Sequence, residues 1–588
     1  MRKAKVLATL GPTSGTVDII SQMIIKGMDA ARINFSHGTN ESRVELIKAL
    51  IQARTELNAP IPVILDTKGP EIRIKTFDTD RVYLEQGADF MLTSNDIVGD
   101  KTKVAVTYEN LPKDLKVGSR VLIDDGLIEL KVMSLTDTDI NCVVINAGFL
   151  SARKGVNVPD VYVNLPSLTE QDAEDIKLGI KMGVDYIAAS FVRSANDVLN
   201  IRSILEENNG SHIKIIAKIE SRDGVTNLEG ILEVADGIMV ARGDLGVELP
   251  PEEVPLVQKD LIRRCNVAGK PVITATHMLE SMVHNPRPTR AEANDVANAI
   301  FDGSDVLMLS GETANGSYPV EAIMMMTRIA EHAEKSENYI KHSLAHHLNL
   351  YKNITNAISF AACASADDLN AACIVPVTDT GFAARMVARS RPKCPILALT
   401  TSEATYRQLN ITWGTKPIMA ESISGNDEVF DIVEQKALES GFVKTGDIIV
   451  ALAGVPIGVA GTTNTMRVRT IGNVLAKGRG NNKKSVKGMT RVFKVKDSKA
   501  SFFEQGDIIV CTQTTDGMME YIKKAGAIVV GSWDNIDNSH AETVAKALDI
   551  PLVICTEKVI NIISEGTPVT VDSENGFVYN GFRDLHAK

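Results

Sequence analysis

Two short segments hold residue types that could seat a metal beside an anion: Lys218-Ile219-Glu220 and Ala241-Arg242-Gly243-Asp244-Leu245-Gly246. Each places a carboxylate at or just past the end of an apolar run. Two carboxylates on neighbouring strand ends suit Mg2+ (or Mn2+), a hard ion that takes oxygen ligands and keeps room for substrate oxygens. Lys218 lies two residues before Glu220 and shares its face of a strand. An ammonium there could stabilise negative charge developing beside the metal. A buried Lys–Glu ion pair is the structural alternative for either segment alone; the two together favour chemistry. A second set runs Arg32-Ile33-Asn34-Phe35-Ser36-His37-Gly38 and Asp66-Thr67-Lys68-Gly69-Pro70-Glu71-Ile72-Arg73. Arg32, Lys68 and Arg73 supply donors for phosphate oxygens. Asn34, Ser36, Asp66 and the Thr67 carbonyl make an oxygen-rich group with one formal charge, which fits a monovalent cation better than a transition metal. Strand-end capping is the competing reading of this set, and His37 alone is a weak signal.

These residues need a frame that brings strand ends together. Short apolar runs alternate with helical patterns at Val6–Gly11, Ala30–Phe35, Pro62–Asp66, Tyr186–Phe191, Lys214–Ile219, Gly237–Ala241, Pro271–Thr276 and Val306–Leu309. Eight parallel strands with intervening helices predict a (β/α)8 barrel, whose chemistry sits at the C-terminal strand ends. The polar residues cluster there: Asn34 and Ser36, Asp66 and Lys68, Ser190 and Arg193, Thr276, Ser310 and Glu312. The barrel is expected over 1–69 and 167–345. Residues 70–166 alternate with a period of two and predict a small inserted β-barrel serving as a lid. An α/β domain is expected over 346–472, a polar, basic linker over 473–487, and a compact further domain over 488–588.

The chain has 588 residues, 63 Lys and Arg against 74 Asp and Glu, and a net charge of −11. That balance argues against a nucleic-acid or anionic-membrane partner, each of which calls for a basic surface. Its 44% hydrophobic and 23% charged residues are ordinary for a globular protein and exclude disorder as the main theme. Seven cysteines at wide spacing give neither a disulfide framework nor a metal knuckle. No signal-peptide pattern or bilayer-length apolar run is apparent, so a cytoplasmic protein is expected.

With these segments in order, and with Lys154-Gly155, Thr274–Met282, Asn285–Asp295, Leu309–Thr313 and Gly461-Thr462-Thr463-Asn464 added, residues 1–470 closely resemble the pyruvate kinase family. The resemblance implies phosphoryl transfer from phosphoenolpyruvate to ADP, giving pyruvate and ATP, the final step of glycolysis. It implies catalysis by Lys218, Arg32 and Thr276, with Lys218 stabilising the enolate and Arg32 and Lys68 approaching the phosphoryl group. Glu220 and Asp244 would hold Mg2+ (or Mn2+), and Asn34, Ser36, Asp66 and Thr67 would hold K+. Gly243, Asp244 and Thr276 would meet the substrate carboxylate; Asn34, His37, Arg73 and Lys154 would meet the nucleotide. A homotetramer is expected on the same ground. His277 stands where the family more often has Gln, and Ser221-Arg222-Asp223 replaces a frequent Asn-x-Glu. The third domain resembles the family's effector domain, with Thr378, Thr380 and Gly381 as candidates for a phosphorylated allosteric effector, against a plain strand-to-helix turn. The tail resembles the phosphohistidine domain of phosphoenolpyruvate-utilising enzymes through Gly506–Val510, Ser539-His540-Ala541 and Val569–Asp572. The family's Gly-Gly-x-Thr is replaced by Asp534-Asn535-Ile536-Asp537-Asn538. A metal-enolate lyase and a retired, effector-binding sensor are the competing functions. Arg73, Lys154 and the lid would be idle in the first, and intact Lys218, Glu220, Asp244 and Thr276 argue against the second.

Overall fold

The computed structural model describes residues 1–336, 353–423, 428–455, 463–494, 502–531, 539–555 and 559–583. It divides into two compact units, one made chiefly of Met1–Phe360 and Pro376–Ser422, the other of Ala361–Val375, Ile423–Ile457 and Thr463–Lys588.

The first unit is built on eight strands: β1 (Lys5–Leu10), β2 (Ala30–Asn34), β3 (Val63–Asp66), β4 (Tyr186–Ala189), β5 (Lys214–Ile219), β6 (Gly237–Ala241), β7 (Val272–Ala275) and β8 (Val306–Leu309). Each pairs in parallel with its sequence neighbour, and β8 returns to β1, so the barrel closes. Every strand residue is buried except Asn34 and Lys214 at strand ends. That double-sided burial is why the strands read as continuous apolar runs. Several surrounding helices start at capping boxes, with Thr39 before α1 (Asn40–Glu56) and Thr169 before α2 (Glu170–Met182). The barrel interior is packed by Leu7, Ile64, Ile216, Ile273 and Met308, joined by Ile411 from the 3-10 turn Leu409–Ile411.

Between β3 and β4 the chain forms a mainly β insert, with one short helix at Leu111–Asp114, around Phe90, Leu92, Val121, Leu130 and Ile140. The expected small β-barrel is present, closed by a short irregular segment. The insert is one six-stranded and one two-stranded sheet. Residues 72–75 join the two ends of the six-stranded sheet: the Lys75 amide donates to the Ala105 carbonyl and the Thr107 amide to Arg73 on one side, and the Ile74 amide donates to Lys154 and the Val156 amide to Ile72 on the other. In the same unit, helix Phe382–Arg389 precedes the parallel strands Ile396–Thr400 and Thr415–Met419.

In the second unit, Ile448–Gly454 pairs antiparallel with Thr463–Thr470, and a closed seven-stranded barrel follows. Here an expectation fails. Residues 473–487 do not form a linker, because Val474–Gly480 and Ser485–Phe493 are strands of that barrel. Their partners, Leu552–Cys555, Phe577–Asn580 and Pro568–Asp572, lie far along the chain, and their lysines face solvent. Gly478 and Gly480 are packing requirements: a Cβ would collide with the carbonyls of Ile554 and Ser573. Among the described residues, no helix is long and apolar enough to cross a membrane.

Candidate active site

The C-terminal rim of the barrel gathers a dense ion network. Lys218 Nζ lies 3.0 Å from Asp66 Oδ1, 3.1 Å from Glu220 Oε1 and 2.7 Å from Ser190 Oγ. Arg32 donates from Nε to Asp66 Oδ2 at 2.6 Å and from Nη1 to Thr9 Oγ1 at 3.0 Å. Both cations are less than a tenth exposed, and Asp66 and Glu220 are 1% exposed. β3 sits between β2 and β4, with Asn34 opposite Asp66 in register, so these groups converge without long side-chain reaches.

The charges are set by this convergence. Burial works against the Lys218 ammonium, but Asp66 and Glu220 outweigh it and hold its pKa above the usual lysine range. Burial likewise opposes the Asp66 carboxylate, yet Arg32 and Lys218 keep it below its ordinary value. Glu220 is pushed up to about 7, by burial first and by the negative charge of Asp244 and Asp66, against the pull of Lys218. Asp244, in the first turn of α3 (Arg242–Glu248), hydrogen-bonds with Glu220 and is raised by burial and by the nearby Asp125 and Glu71. Two buried, crowded carboxylates, both raised from their ordinary values, match a divalent cation in donor chemistry. Among the described residues no three or more His, Cys, Asp or Glu side chains are grouped as a metal site.

Backbone conformation completes the rim. Phe191, Thr276 and His277 hold φ of 53°, 65° and 54°, in the left-handed region that costs non-glycine residues about 1–3 kcal/mol each. The Phe191 amide, so turned, donates to Glu220 Oε2. Thr276 Oγ1 accepts from the Gly243 amide at 2.8 Å and donates to the Ala275 carbonyl at 2.6 Å. The Gly243 N–H assigned to substrate is therefore taken up by Thr276 in this state. Arg242 donates to the carbonyls of Ala275 and Thr276 and pairs with Asp295 at 2.8 Å, which fixes the β6 and β7 ends together. Gly69, at φ 71°, is where a Cβ would come within 2.8 Å of Ser190 Cβ, so the β3 and β4 loops touch through a glycine.

The other expected residues fall into separate places. Asn34 Oδ1 accepts from the Ser36 amide at 3.0 Å, and Ser36, His37 and Lys68 are exposed on the rim loops. Thr67 is buried, and its carbonyl accepts from Ser190 Oγ at 2.6 Å. Arg73 and Lys154 lie on the insert: Arg73 binds Glu71 at 2.6 Å and the Arg153 carbonyl, and Lys154 binds Asp124 at 2.9 Å. A cavity of about 370 Å3 separates insert and barrel, lined by Glu71, Asp125, Phe191, Arg193 and Asp244 among others. Thr378, Thr380 and Gly381 lie elsewhere, at the turn before Phe382–Arg389. Gly381 has φ 76°, Arg385 donates to the Thr380 carbonyl, and Thr401 donates to Asp379. Sequence reading named Ser190 without a role and missed the Phe191 amide; a polar residue ending β4 was the available signal. Gly461, Thr462 and the stretch from Asp534 to Asn538 lie outside the described residues.

Comparison with known proteins identifies the family. Residues 1–323 match the family model "Pyruvate kinase, barrel domain", residues 356–469 match "Pyruvate kinase, alpha/beta domain", and residues 503–576 match "PEP-utilising enzyme, mobile domain". A curated pyruvate kinase of Bacillus licheniformis is 46% identical over 583 residues, covering 99% of both chains. One of Staphylococcus aureus (strain MRSA252) is 44% identical over 590 residues and covers both chains completely. The crystal structure of a pyruvate kinase from Cryptosporidium parvum superposes with a TM-score of 0.76 at 40% identity, covering 80% of this chain and 96% of that one. With a family model spanning more than half of the residues and such relatives along its full length, this chain belongs to the pyruvate kinase family, phosphotransferases that convert phosphoenolpyruvate and ADP into pyruvate and ATP.

Proposed function

We propose that phosphoryl transfer runs across the Lys218–Asp66–Arg32 network, with Glu220 and Asp244 holding Mg2+ (or Mn2+) and Asn34, Ser36, Asp66 and Thr67 holding K+. The observation that carries this reading is the ammonium of Lys218, buried yet kept charged within 3.1 Å of both Asp66 and Glu220. Phosphoryl transfer needs positioning and charge neutralisation more than covalent help. Lys218 meets both needs where the enolate oxygen gains charge, and it enters the transition state without reorganising. Arg32, aligned by Asp66 and Thr9, presents its remaining planar donors to phosphoryl oxygens. Lys68, on its exposed loop, adds charge as the phosphoryl group leaves. Thr276 and the Gly243 amide take the substrate carboxylate, which replaces their mutual hydrogen bond. When bound, the divalent ion supplies neutralisation of oxygens on the transferring group. The K+ donor set is all oxygen with one carboxylate, already shared by two cationic side chains, and suits an ion of low charge.

On the insert, Arg73 and Lys154 are held by Glu71 and Asp124 in pairs that are partly exposed. Exposed pairs are worth about 0–1 kcal/mol, so a polyphosphate can displace them at little cost. With His37 these two cations meet the nucleotide phosphates, and the insert excludes water that would hydrolyse the phosphoryl group. A phosphorylated effector at Thr378, Thr380 and Gly381, and a homotetramer, belong to the same proposal. The test is a coupled assay for pyruvate with ADP, divalent cation and K+ omitted in turn. Pyruvate formation should require all three. Turnover without ADP would favour a lyase, and no turnover with all three would favour a sensor.

A further inference from the structure

Behind the two loops proposed to hold the monovalent cation lies a side chain with no part in the chemistry so far. Arg43, in the first turn of α1, is 9% exposed, and arginine is seldom so buried without a purpose for its donors. Its Nε donates to the His37 carbonyl at 3.1 Å and its Nη2 to the Phe35 carbonyl, while the guanidinium lies 4.7 Å over the Phe35 ring. One side chain thus grips the backbone on both sides of Ser36. Arg43 Nη1 also stands 3.5 Å from Asp175 Oδ1 on α2, a carboxylate that is 1% exposed and whose Oδ2 finds no partner. Three residues earlier on that helix, and so on the same face, Asp172 accepts from the Gly69 amide at 3.1 Å. Gly69 closes the loop that carries Asp66 and Thr67. One helix therefore holds both loops, the first through Arg43 and the second directly. Asn34 and Asp66 face each other in register between the two grips.

We infer that Arg43 is a positioning residue which, with Asp175 and Asp172, sets the separation between the Asn34–Ser36 and Asp66–Thr67 oxygens, and with it the affinity and size preference for the monovalent cation. The inference rests on the cation reading above. Selectivity between ions of one charge depends on cavity size and ligand rigidity, and a guanidinium fork fixes two carbonyls in a way an ammonium cannot. Arg43 touches neither substrate nor ion; it acts through the loop.

The test uses the full-length protein with Arg43→Lys, Arg43→Ala and Asp175→Asn. Two readouts need no turnover: the rise in Tm on adding K+ or Na+ at constant ionic strength, and the NMR titration of Tl+, a K+ substitute. Losing the partner that orients a ligand typically costs about 10- to 100-fold in metal affinity. K+ and Tl+ binding should weaken by that factor, the preference for K+ over Na+ should narrow, and kcat at saturating K+ should stay within about threefold of the parent, the split expected of a residue outside the transition state. Unchanged K+ and Tl+ binding in folded Arg43→Lys and Asp175→Asn would overturn the inference, and these two milder variants carry the test should Arg43→Ala fail to fold. A parent protein that binds no monovalent cation and turns over fully without one would instead overturn the cation reading itself.

Discussion

Lys218 in the barrel and His540 in the tail are side chains whose types both suit phosphoryl chemistry, and their surroundings differ in kind. Lys218 is fenced by three buried acceptors on two other strand ends and its own strand, and their charge keeps it ionised against burial. His540 has a side chain 29% exposed and two local partners: Thr514 Oγ1 at 2.9 Å from Nδ1, and Asp516 Oδ1 at 3.2 Å from Nε2. Asp516 is wholly exposed. A carboxylate can only accept, so Nε2 donates to Asp516, while Nδ1 is engaged by a hydroxyl that can donate or accept. The barrel holds a cation whose field is aimed at an anion. The tail holds an imidazole whose two ring nitrogens are both already engaged. Residue type alone did not separate these cases; what faces the side chain did.

The largest expected effect removes the fenced cation. Lys218→Met should lower kcat by about 100- to 1000-fold, the scale of a lost oxyanion donor, with the KM for phosphoenolpyruvate little changed. Steady-state kinetics decides it, and a sharp rise in KM with kcat preserved would move Lys218 from transition-state stabilisation to ground-state binding. Replacing K+ by a bulky organic cation at constant ionic strength comes next. In the family, glutamate at the position of Glu71 accompanies dependence on a monovalent cation, and lysine accompanies independence; a fixed ammonium can stand in for the ion's charge and a carboxylate cannot. Activity should fall steeply, and full activity in that buffer would remove the cation assigned to Asn34, Ser36, Asp66 and Thr67.

A smaller effect follows from the crowded pair Glu220 and Asp244. The folded pKa of Glu220 is raised, so below about pH 7 the metal-free site holds a proton that a divalent cation must displace. The half-saturating Mg2+ concentration should therefore rise about tenfold per pH unit as the pH is lowered through 7, and flatten above it. For stability the sign is opposite to that of a salt-bridged acid. A raised carboxylate pKa means that metal-free stability is lost as pH rises from the unfolded value toward 7 and stays lost above it. Added Mg2+ should restore it, which Tm measured across pH with and without the ion will show. A half-saturating concentration independent of pH would mean that Glu220 is ionised before the metal arrives.

How much of this was legible in sequence depends on where each residue's partners lie. All eight barrel strands could be placed to within about two residues, because burial on both faces writes a continuous apolar run. Helix Phe382–Arg389 was likewise visible from its flanking glycine and strand. Residues 473–487 were not, since an exposed strand rich in Lys and Gly writes the same letters as a linker; what makes it a strand is Leu552–Cys555 and Phe577–Asn580, far along the chain. The site shows the same division. Lys218, Glu220, Asp66 and Asp244 announce themselves as charges at the ends of apolar runs. Arg43, Asp172 and Asp175 sit within helices among other charges, and only the fold reveals that they are buried and grip the loops.

The smallest expected effect is the one that sharpens the comparison most. A phosphohistidine carrier needs a ring nitrogen with a free lone pair, donors around the incoming phosphoryl group, and a site that loads it. His540 Nδ1 is held by Thr514 and Nε2 by Asp516, so the first condition would require breaking one of the two bonds. The second is opposed at Nε2, where the nearest charged neighbour is an acid that would repel a dianion. For the third, the barrel rim, proposed above to serve ADP, lies in a different matched region from His540. His540→Ala should therefore leave kcat and the KM for phosphoenolpyruvate within about twofold of the parent, as expected of a residue outside the reacting set. Incubation with phosphoenolpyruvate labelled in its phosphate should leave no acid-labile label on the tail. Asp516→Asn makes the test stricter, because it removes the repelling charge while keeping an acceptor for Nε2–H. If Asp516→Asn collects label on His540 where the parent does not, the tail lacks only the right electrostatics to be a carrier; if the parent itself collects label, His540 belongs with Lys218 as a second phosphoryl site.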